Sequence, residues 1–172
     1  MITKPEKIIK RIIKAIGQRQ SVLLIGNWDE TLINGIKENQ NSITISSSTE
    51  DLNDNTFTRI VIDYSLLAQG LINQTPTYTE FRRLLLPTGM IIISANCELN
   101  FFEKLFKKVG TCHSMPLLAI KPKVLQDEIH DNGFLIDGYY GYPGGHLLMM
   151  AVIQNKNVST LFSSETQETI KT

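Results

Sequence analysis

The segment SVLLIGNWDE, at residues 21–30, is the strongest indication of the fold in the sequence. Its apolar run VLLI is typical of a parallel strand that is covered on both faces. Gly26 permits the sharp turn by which the chain leaves such a strand. Asn27 and Glu30 have the spacing of a capping box, so the next helix is predicted to begin at Asn27. A strand, a glycine turn and a helix in this order predict an open α/β sheet, whose ligands bind beyond the carboxyl ends of its strands.

The composition fits one domain in a chain of 172 residues. Seventeen basic and seventeen acidic residues give a formal net charge of zero, which is no signal for nucleic acid or an anionic membrane. No apolar run approaches the roughly 20 residues of a membrane span, and the first residues lack an export signal. Cys97, Cys112 and the three scattered histidines have no metal-binding spacing. We therefore expect a cytoplasmic protein without a metal site.

The chain before this stretch, residues 1–17, is predicted to be an amphipathic helix with a capping box at Thr3 and Glu6. Lysine and arginine occupy its other side, which we interpret as a solvated face. Apolar residues recur at helical spacing at Ile8, Ile9, Ile12, Ile13 and Ile16.

Strand and helix patterns alternate downstream, as a parallel sheet requires. Gly35 is expected to weaken the first of these helices, and Val124 is expected to face inward in the last. Residues 111–120 have no clear period and predict a loop, and the polar segment 155–172 predicts a disordered tail. Helices are predicted at residues 28–38, 77–86, 100–110 and 122–133, single strands at 42–46, 57–63 and 90–94, and a final hairpin from strands 134–139 and 146–153 joined by 140–145.

Three passages resemble class I methyltransferases, the Rossmann-like family that uses S-adenosylmethionine. They are similar to the family's acidic "AEDLPF" loop with its fourth strand, to its "RVLKPGG" helix end with the fifth strand, and to its "lleeaGF" helix end with the sixth and seventh strands. The resemblance implies a three-layer α/β domain over residues 1–154, with a mostly parallel sheet and an antiparallel C-terminal hairpin. The passages are TEDLNDNTFTRIVID at residues 49–63, FRRLLLPTGMIIIS at residues 81–94, and residues 129–152.

The cofactor motif departs from the family pattern. Methyltransferases carry D/E-x-G-x-G-x-G after the first strand, whereas this chain has Leu24 at the acidic position and Gly26 as the one matching glycine. If S-adenosylmethionine binds, the resemblance places Gly26, Asn27 and Asp29 near its methionine portion. Trp28, within the same loop, is large for a backbone that must approach a ligand.

The chain is also shorter than the family pattern by about one strand and one helix, which are missing after the strand at residues 42–46. Ser46 stands where the family has an acid that hydrogen-bonds the ribose, and a hydroxyl is a weaker acceptor than a carboxylate. Glu50 and Asp51 are the candidates to replace that acid.

Asp63 and Tyr64 follow the fourth strand of the family, where methyltransferases often hold the target atom. If the chain is active, Asp63 is predicted to accept a proton from the acceptor and Tyr64 to position it. The structural alternative is that Asp63 caps the next segment and that Tyr64 packs with its hydroxyl bonded.

Two functions follow from these observations. A methyltransferase-like domain with a degenerate cofactor site acts as a binding or interaction module, as a homodimer or beside another protein. Alternatively, an altered loop serves a small, active methyltransferase whose substrate is a small molecule. The lost glycines and the shortened sheet favour the first hypothesis.

Overall fold

A six-stranded sheet with helices on both faces is formed by the part of the chain that the computed structural model describes, residues 4–65, 78–96, 120–142 and 145–154. The predicted helix at 100–110, the predicted loop except Ile120, and the tail lie outside the described residues. The helices are α1 (Glu6–Ile16), α2 (Glu30–Glu38), α3 (Tyr78–Leu84) and α4 (Pro122–Asp131). The strands are β1 (Ser21–Ile25), β2 (Ser42–Ser46), β3 (Phe57–Asp63), β4 (Leu85–Asn96), β5 (Phe134–Tyr142) and β6 (His146–Ile153).

The strand order is β2-β1-β3-β4-β6-β5. β1 to β4 are mutually parallel, and β6 pairs antiparallel with both β4 and β5. This arrangement confirms the predicted, mostly parallel sheet with a C-terminal hairpin. The described connection from β2 to β3, residues 47–56, contains no strand, as the shortened sequence predicted.

Each face of the sheet has its own apolar core, because alternate residues of the central strands point to opposite sides. Val22 and Leu24 of β1 face α1 and α2, whereas Leu23 and Ile25 face α3 and α4. The α1–α2 core contains Ile8, Ile9, Ile12, Ile16, Val22, Leu24, Trp28, Leu32, Ile36, Val61, Ile92, Leu148 and Met150. The three layers are therefore α1 with α2, the sheet, and α3 with α4.

The start of α2 differs from the prediction. The helix begins at Glu30, and its N-cap is Asp29, whose Oδ1 accepts a hydrogen bond of 3.0 Å from the Leu32 N–H. Asn27 is exposed and does not cap the helix. The reason is tertiary: Trp28 turns into the α1–α2 core and delays the helix beyond it.

Two strand boundaries also differ. β4 begins at Leu85, directly after α3, so Pro87 and Gly89 lie within the strand instead of separating helix from strand. Pairing with β3 shifts there, from Phe57–Leu85 to Arg59–Met90, and such an irregularity tolerates a proline without an N–H donor. β5 extends to Tyr142 because its pairing with β6 continues into the first three residues of the predicted connector.

The predicted ends of the helices agree with the structure better than the predicted caps and buried faces do. α1 begins after Pro5, which makes no side-chain cap, and Thr3 of the predicted capping box lies outside the described residues. Pro122 opens α4, and Leu125 is buried. Val124 is 52% exposed, so its predicted inward position is wrong. Leu125 and Ile129, four residues apart, suffice to fill the buried face of α4.

Gly35 of α2 leaves room for a side chain of α1. A Cβ atom added at Gly35 would lie 2.3 Å from Cδ1 of Ile13 on α1. The glycine that weakens α2 as an isolated helix therefore makes room for its neighbour.

A double-mutant cycle tests this packing. In an Ile13→Val background, which lacks Cδ1, we expect Gly35→Ala to stabilise the domain by up to about 1 kcal/mol through its helix propensity. In the natural background the same change is expected to give no gain or a loss, because the new methyl group meets Ile13. Urea unfolding measures both values, and equal effects in the two backgrounds would contradict the packing argument.

Candidate functional site at the carboxyl ends of the strands

The carboxyl ends of β1 to β4 meet at one edge of the sheet. Ile25 of β1 pairs with Ser46 of β2 and with Ile62 of β3, and Asp63 pairs with Ser94 of β4. This register brings the predicted residues Gly26, Ser46 and Asp63 to the same edge, where ligands of open α/β sheets bind.

The loop after β1 is fixed by contacts within the chain. Gly26 has a φ of 99°, a conformation that favours glycine, and its N–H donates a hydrogen bond of 3.1 Å to the Ser46 carbonyl. Trp28 is 2% exposed, and its Nε1 donates to the Ile25 carbonyl at 3.0 Å. The largest side chain of the loop is therefore part of the core.

Two further candidates for cofactor binding are bonded internally. Asp29 is buried and its Oδ1 caps α2. The Ser46 hydroxyl donates to the Ser48 carbonyl at 2.5 Å and accepts from the Ser48 N–H at 3.2 Å. Both groups thus stabilise the turns in which they lie.

Glu50 and Asp51 are exposed in the loop between β2 and β3. Arg83 of α3 holds this loop by donating to the carbonyls of Thr49, at 3.0 Å, and Leu52, at 2.8 Å. The position of the two carboxylates therefore depends on α3, a link that the local sequence did not show.

Asp63 forms a buried ion pair that the sequence analysis missed. Its Oδ2 lies 2.6 Å from Nζ of Lys4, and the two side chains are 3% and 6% exposed. Its Oδ1 accepts hydrogen bonds from the N–H of Ser65, at 3.0 Å, and from the Ser65 hydroxyl. A buried carboxylate at the end of an apolar strand needs a cation, and that requirement was the available signal for a partner.

Tyr64 packs on the face of the sheet that α3 and α4 cover. Its hydroxyl donates a hydrogen bond of 3.0 Å to Oε2 of Glu128 on α4. Burial, and then the neighbouring carboxylate, raises the pKa of Tyr64 to about 12. Burial also raises the pKa of Tyr78, which packs against Phe81 and Phe134. Glu128 lies between Leu125 and Ile129, so a helical projection of α4 would have placed it beside the buried face.

These contacts define what the edge can do chemically. Tyr64 is a phenol that stays protonated near neutral pH and donates, while the Asp63 carboxylate is bonded on both oxygens. Within the described ranges no group of three histidine, cysteine, aspartate or glutamate residues could hold a metal ion. None of the helices in these ranges has both the length and the hydropathy of a membrane span.

Comparisons with known proteins identify the fold. No protein-family model matches the sequence, and no curated protein matches it. A solved structure of Burkholderia thailandensis 1,6-didemethyltoxoflavin-N1-methyltransferase, with bound S-adenosylhomocysteine, is similar with a TM-score of 0.63 and 14% identity over 87% of this chain and 78% of that chain. The chain has the Rossmann-like methyltransferase fold.

Other methyltransferase structures agree. A SAM-dependent methyltransferase from Aquifex aeolicus has a TM-score of 0.58 and 12% identity, over 87% of this chain and 94% of its own. A third structure is the Haloferax volcanii complex between the Trm112 methyltransferase activator and a methyltransferase described as putative. A chain of this complex is similar with a TM-score of 0.53 and 10% identity, over 85% of this chain and 88% of its own. Such low identities show the fold alone.

The Lys4–Asp63 pair is expected to behave as a coupled unit in unfolding experiments. Lys4→Met leaves a buried carboxylate without its cation and should cost about 3 to 5 kcal/mol. Adding Asp63→Asn removes that charge and should restore most of the stability. Urea unfolding measures the coupling, with Lys7→Met as the control because Lys7 is exposed on α1. Additive effects of the two substitutions would contradict a direct interaction.

The Tyr64–Glu128 bond makes a separate prediction at high pH. Because the pKa of Tyr64 is raised in the folded chain, the stability it supplies is present below about pH 10 and is lost as the pH rises toward 12. Tyr64→Phe should lower stability at neutral pH by about 1 kcal/mol and reduce the phenolate absorbance that develops near pH 12. Tyr139→Phe is the control, since Tyr139 is 61% exposed. Loss of phenolate absorbance near pH 10 instead of near pH 12 in Tyr64→Phe would contradict the assignment.

Proposed function

We propose that this chain is a methyltransferase-like domain that does not use S-adenosylmethionine and that acts as a binding or interaction module. The observation that carries the proposal is the buried pair of Lys4 and Asp63 at the carboxyl end of β3. The lysine comes from the segment before α1 and neutralises a carboxylate at the edge where this fold binds ligands.

Charge makes this pair an obstacle to the cofactor. S-adenosylmethionine carries an ammonium and a sulfonium, and either cation would have to compete with Lys4 for the Asp63 carboxylate. Displacing Lys4 would expose or strand a buried charge, at a cost of several kcal/mol. Asp63 is equally unsuited to accept a proton from a methyl acceptor, because its oxygens are occupied by Lys4 and Ser65.

The loop after β1 supports the same proposal. Trp28 stands at the second glycine of the family motif, and its indole is anchored to the Ile25 carbonyl. The Gly26 N–H is bonded to the Ser46 carbonyl, and Asp29 caps α2. Gly26, Asp29 and Ser46, three of the six groups that the resemblance assigns to the cofactor, thus have partners within the chain.

The similar structures include proteins with a bound cofactor product and one complex with a partner protein. Two similar structures were solved with S-adenosylhomocysteine, and another belongs to a complex with an activator protein. For this chain we propose a protein partner, either a second copy or another subunit.

The alternative function is an active methyltransferase that acts on a small molecule. The observation that favours it is Gly26, which keeps a φ of 99° and a close approach to β2 at the first glycine of the family motif. In that case Asn27, which is exposed, and the exposed Glu50 and Asp51 are the groups left to contact the cofactor.

Calorimetric titration with S-adenosylmethionine and S-adenosylhomocysteine decides between the two functions. We expect no binding by the natural chain, whereas affinity in the micromolar range, about −8 kcal/mol, would overturn the proposal and justify a screen for acceptors. The Lys4→Met/Asp63→Asn variant is titrated in parallel, because it removes both charges together. Binding gained only by this variant would show that the ion pair closes a site that the fold retains.

A further inference from the structure

β2 lies at one edge of the sheet, and within the described residues it pairs only with β1. Its sequence, SITIS, reads the same in both directions around Thr44. The chain carries no charged residue from Asn39 to Thr49. From these features we infer that β2 is the interface of a symmetric homodimer, in which the two β2 strands pair antiparallel across a two-fold axis at Thr44.

The backbone of β2 is arranged for this pairing. The Ser42 N–H donates to the Gln20 carbonyl, and the Ser46 carbonyl accepts from the Gly26 N–H, so residues at even positions bond to β1. Main-chain groups alternate in direction along a strand, and those of Ile43 and Ile45 therefore point away from the sheet. Across the two-fold axis Ile43 faces Ile45 of the second copy, and each pair exchanges two hydrogen bonds. The dimer thus gains four backbone hydrogen bonds.

The side chains match in the same register. Ile43 packs against the α1–α2 core, and Ile45, two residues later, lies on the same face with 51% of its surface exposed. Pairing buries Ile45 of each copy against Ile43 of the other copy, which gives two equivalent contacts. On the other face Thr44 meets Thr44, and Ser42 meets Ser46. A palindromic strand is self-complementary, which is what an isologous two-fold interface requires.

The other edge of the sheet is protected, whereas none of the described residues covers the outer edge of β2. β5 carries the exposed Asp137 where its register with β6 shifts, and a charge at an irregularity prevents edge pairing. β2 has no charge, proline or register shift. A zero formal net charge also avoids long-range repulsion between two copies. These differences favour β2 over β5 as the interface. The self-complementary sequence of β2 favours a second copy of the chain as its partner.

Sedimentation over a series of protein concentrations tests the dimer. The natural chain should sediment as a dimer, with twice the monomer mass, and Ile45→Lys should convert it to a monomer. Leu135→Lys is the matched control, because Leu135 is 44% exposed on β5, and it should leave the dimer intact. A monomeric natural chain, or a dimer that persists in Ile45→Lys, would overturn the inference. Neither result depends on whether S-adenosylmethionine binds.

Cross-linking tests the register. In a Cys97→Ser/Cys112→Ser background, Thr44→Cys places two thiols directly opposite each other at the two-fold axis, with Cβ atoms about 5 Å apart, and should give a covalent dimer on mild oxidation. Ser42→Cys should remain uncross-linked, because the two copies of that position are about 13 Å apart along the strands. Circular dichroism of both variants checks that they fold. Absence of the Thr44→Cys dimer in a folded protein, or equal cross-linking at position 42, would refute this register.

Discussion

The ion pair between Lys4 and Asp63 ties the beginning of the chain to the centre of its sheet. A carboxylate cannot be buried at the end of β3 without a cation, so the segment before α1 must reach that edge. α1 then lies on this side of the sheet, where its isoleucines cover the central strands. Cζ of Arg11 lies 3.5 Å from the centroid of the Tyr140 ring. One electrostatic constraint thus fixes the helix that completes the third layer.

The ion pair is one of several internal contacts made by the polar groups of the candidate site. Polar groups at a sheet edge are available to a ligand only if the chain leaves them partly unbonded. Here Asp63 has Lys4 and Ser65, Asp29 has the first turn of α2, and Tyr64 has Glu128. The raised pKa of Tyr64 reflects the same closure, since burial is its main cause. The structural alternative foreseen for Asp63 and Tyr64 corresponds to the hydrogen bonds that these residues make.

Sequence patterns predicted the elements whose structure depends on neighbouring residues alone. The continuous apolar runs of β1 and β3 and the proline at the start of α4 specify their elements without distant contacts. The predictions were wrong where tertiary packing overrides a local signal: burial of Trp28 moves the cap from Asn27 to Asp29. Topology also predicted which residues meet at the carboxyl edge. Their partners, Lys4 and Glu128, lie far away in sequence, and no local pattern encodes those contacts.

The short connection after β2 explains why this strand lies at an edge of the sheet that the described residues form. The connection between β2 and β3 has about ten residues and holds no strand, so β2 ends the sheet instead of lying inside it. A strand inside a sheet can be uncharged and β-branched without penalty, but at an edge the same sequence invites pairing with another chain. An edge strand kept free of charge is therefore best explained by a partner that covers it. In the proposed dimer this partner is the β2 strand of a second copy, because SITIS matches its own reverse. On this view the segment whose loss shortened the sheet also opened the surface on which a second copy docks.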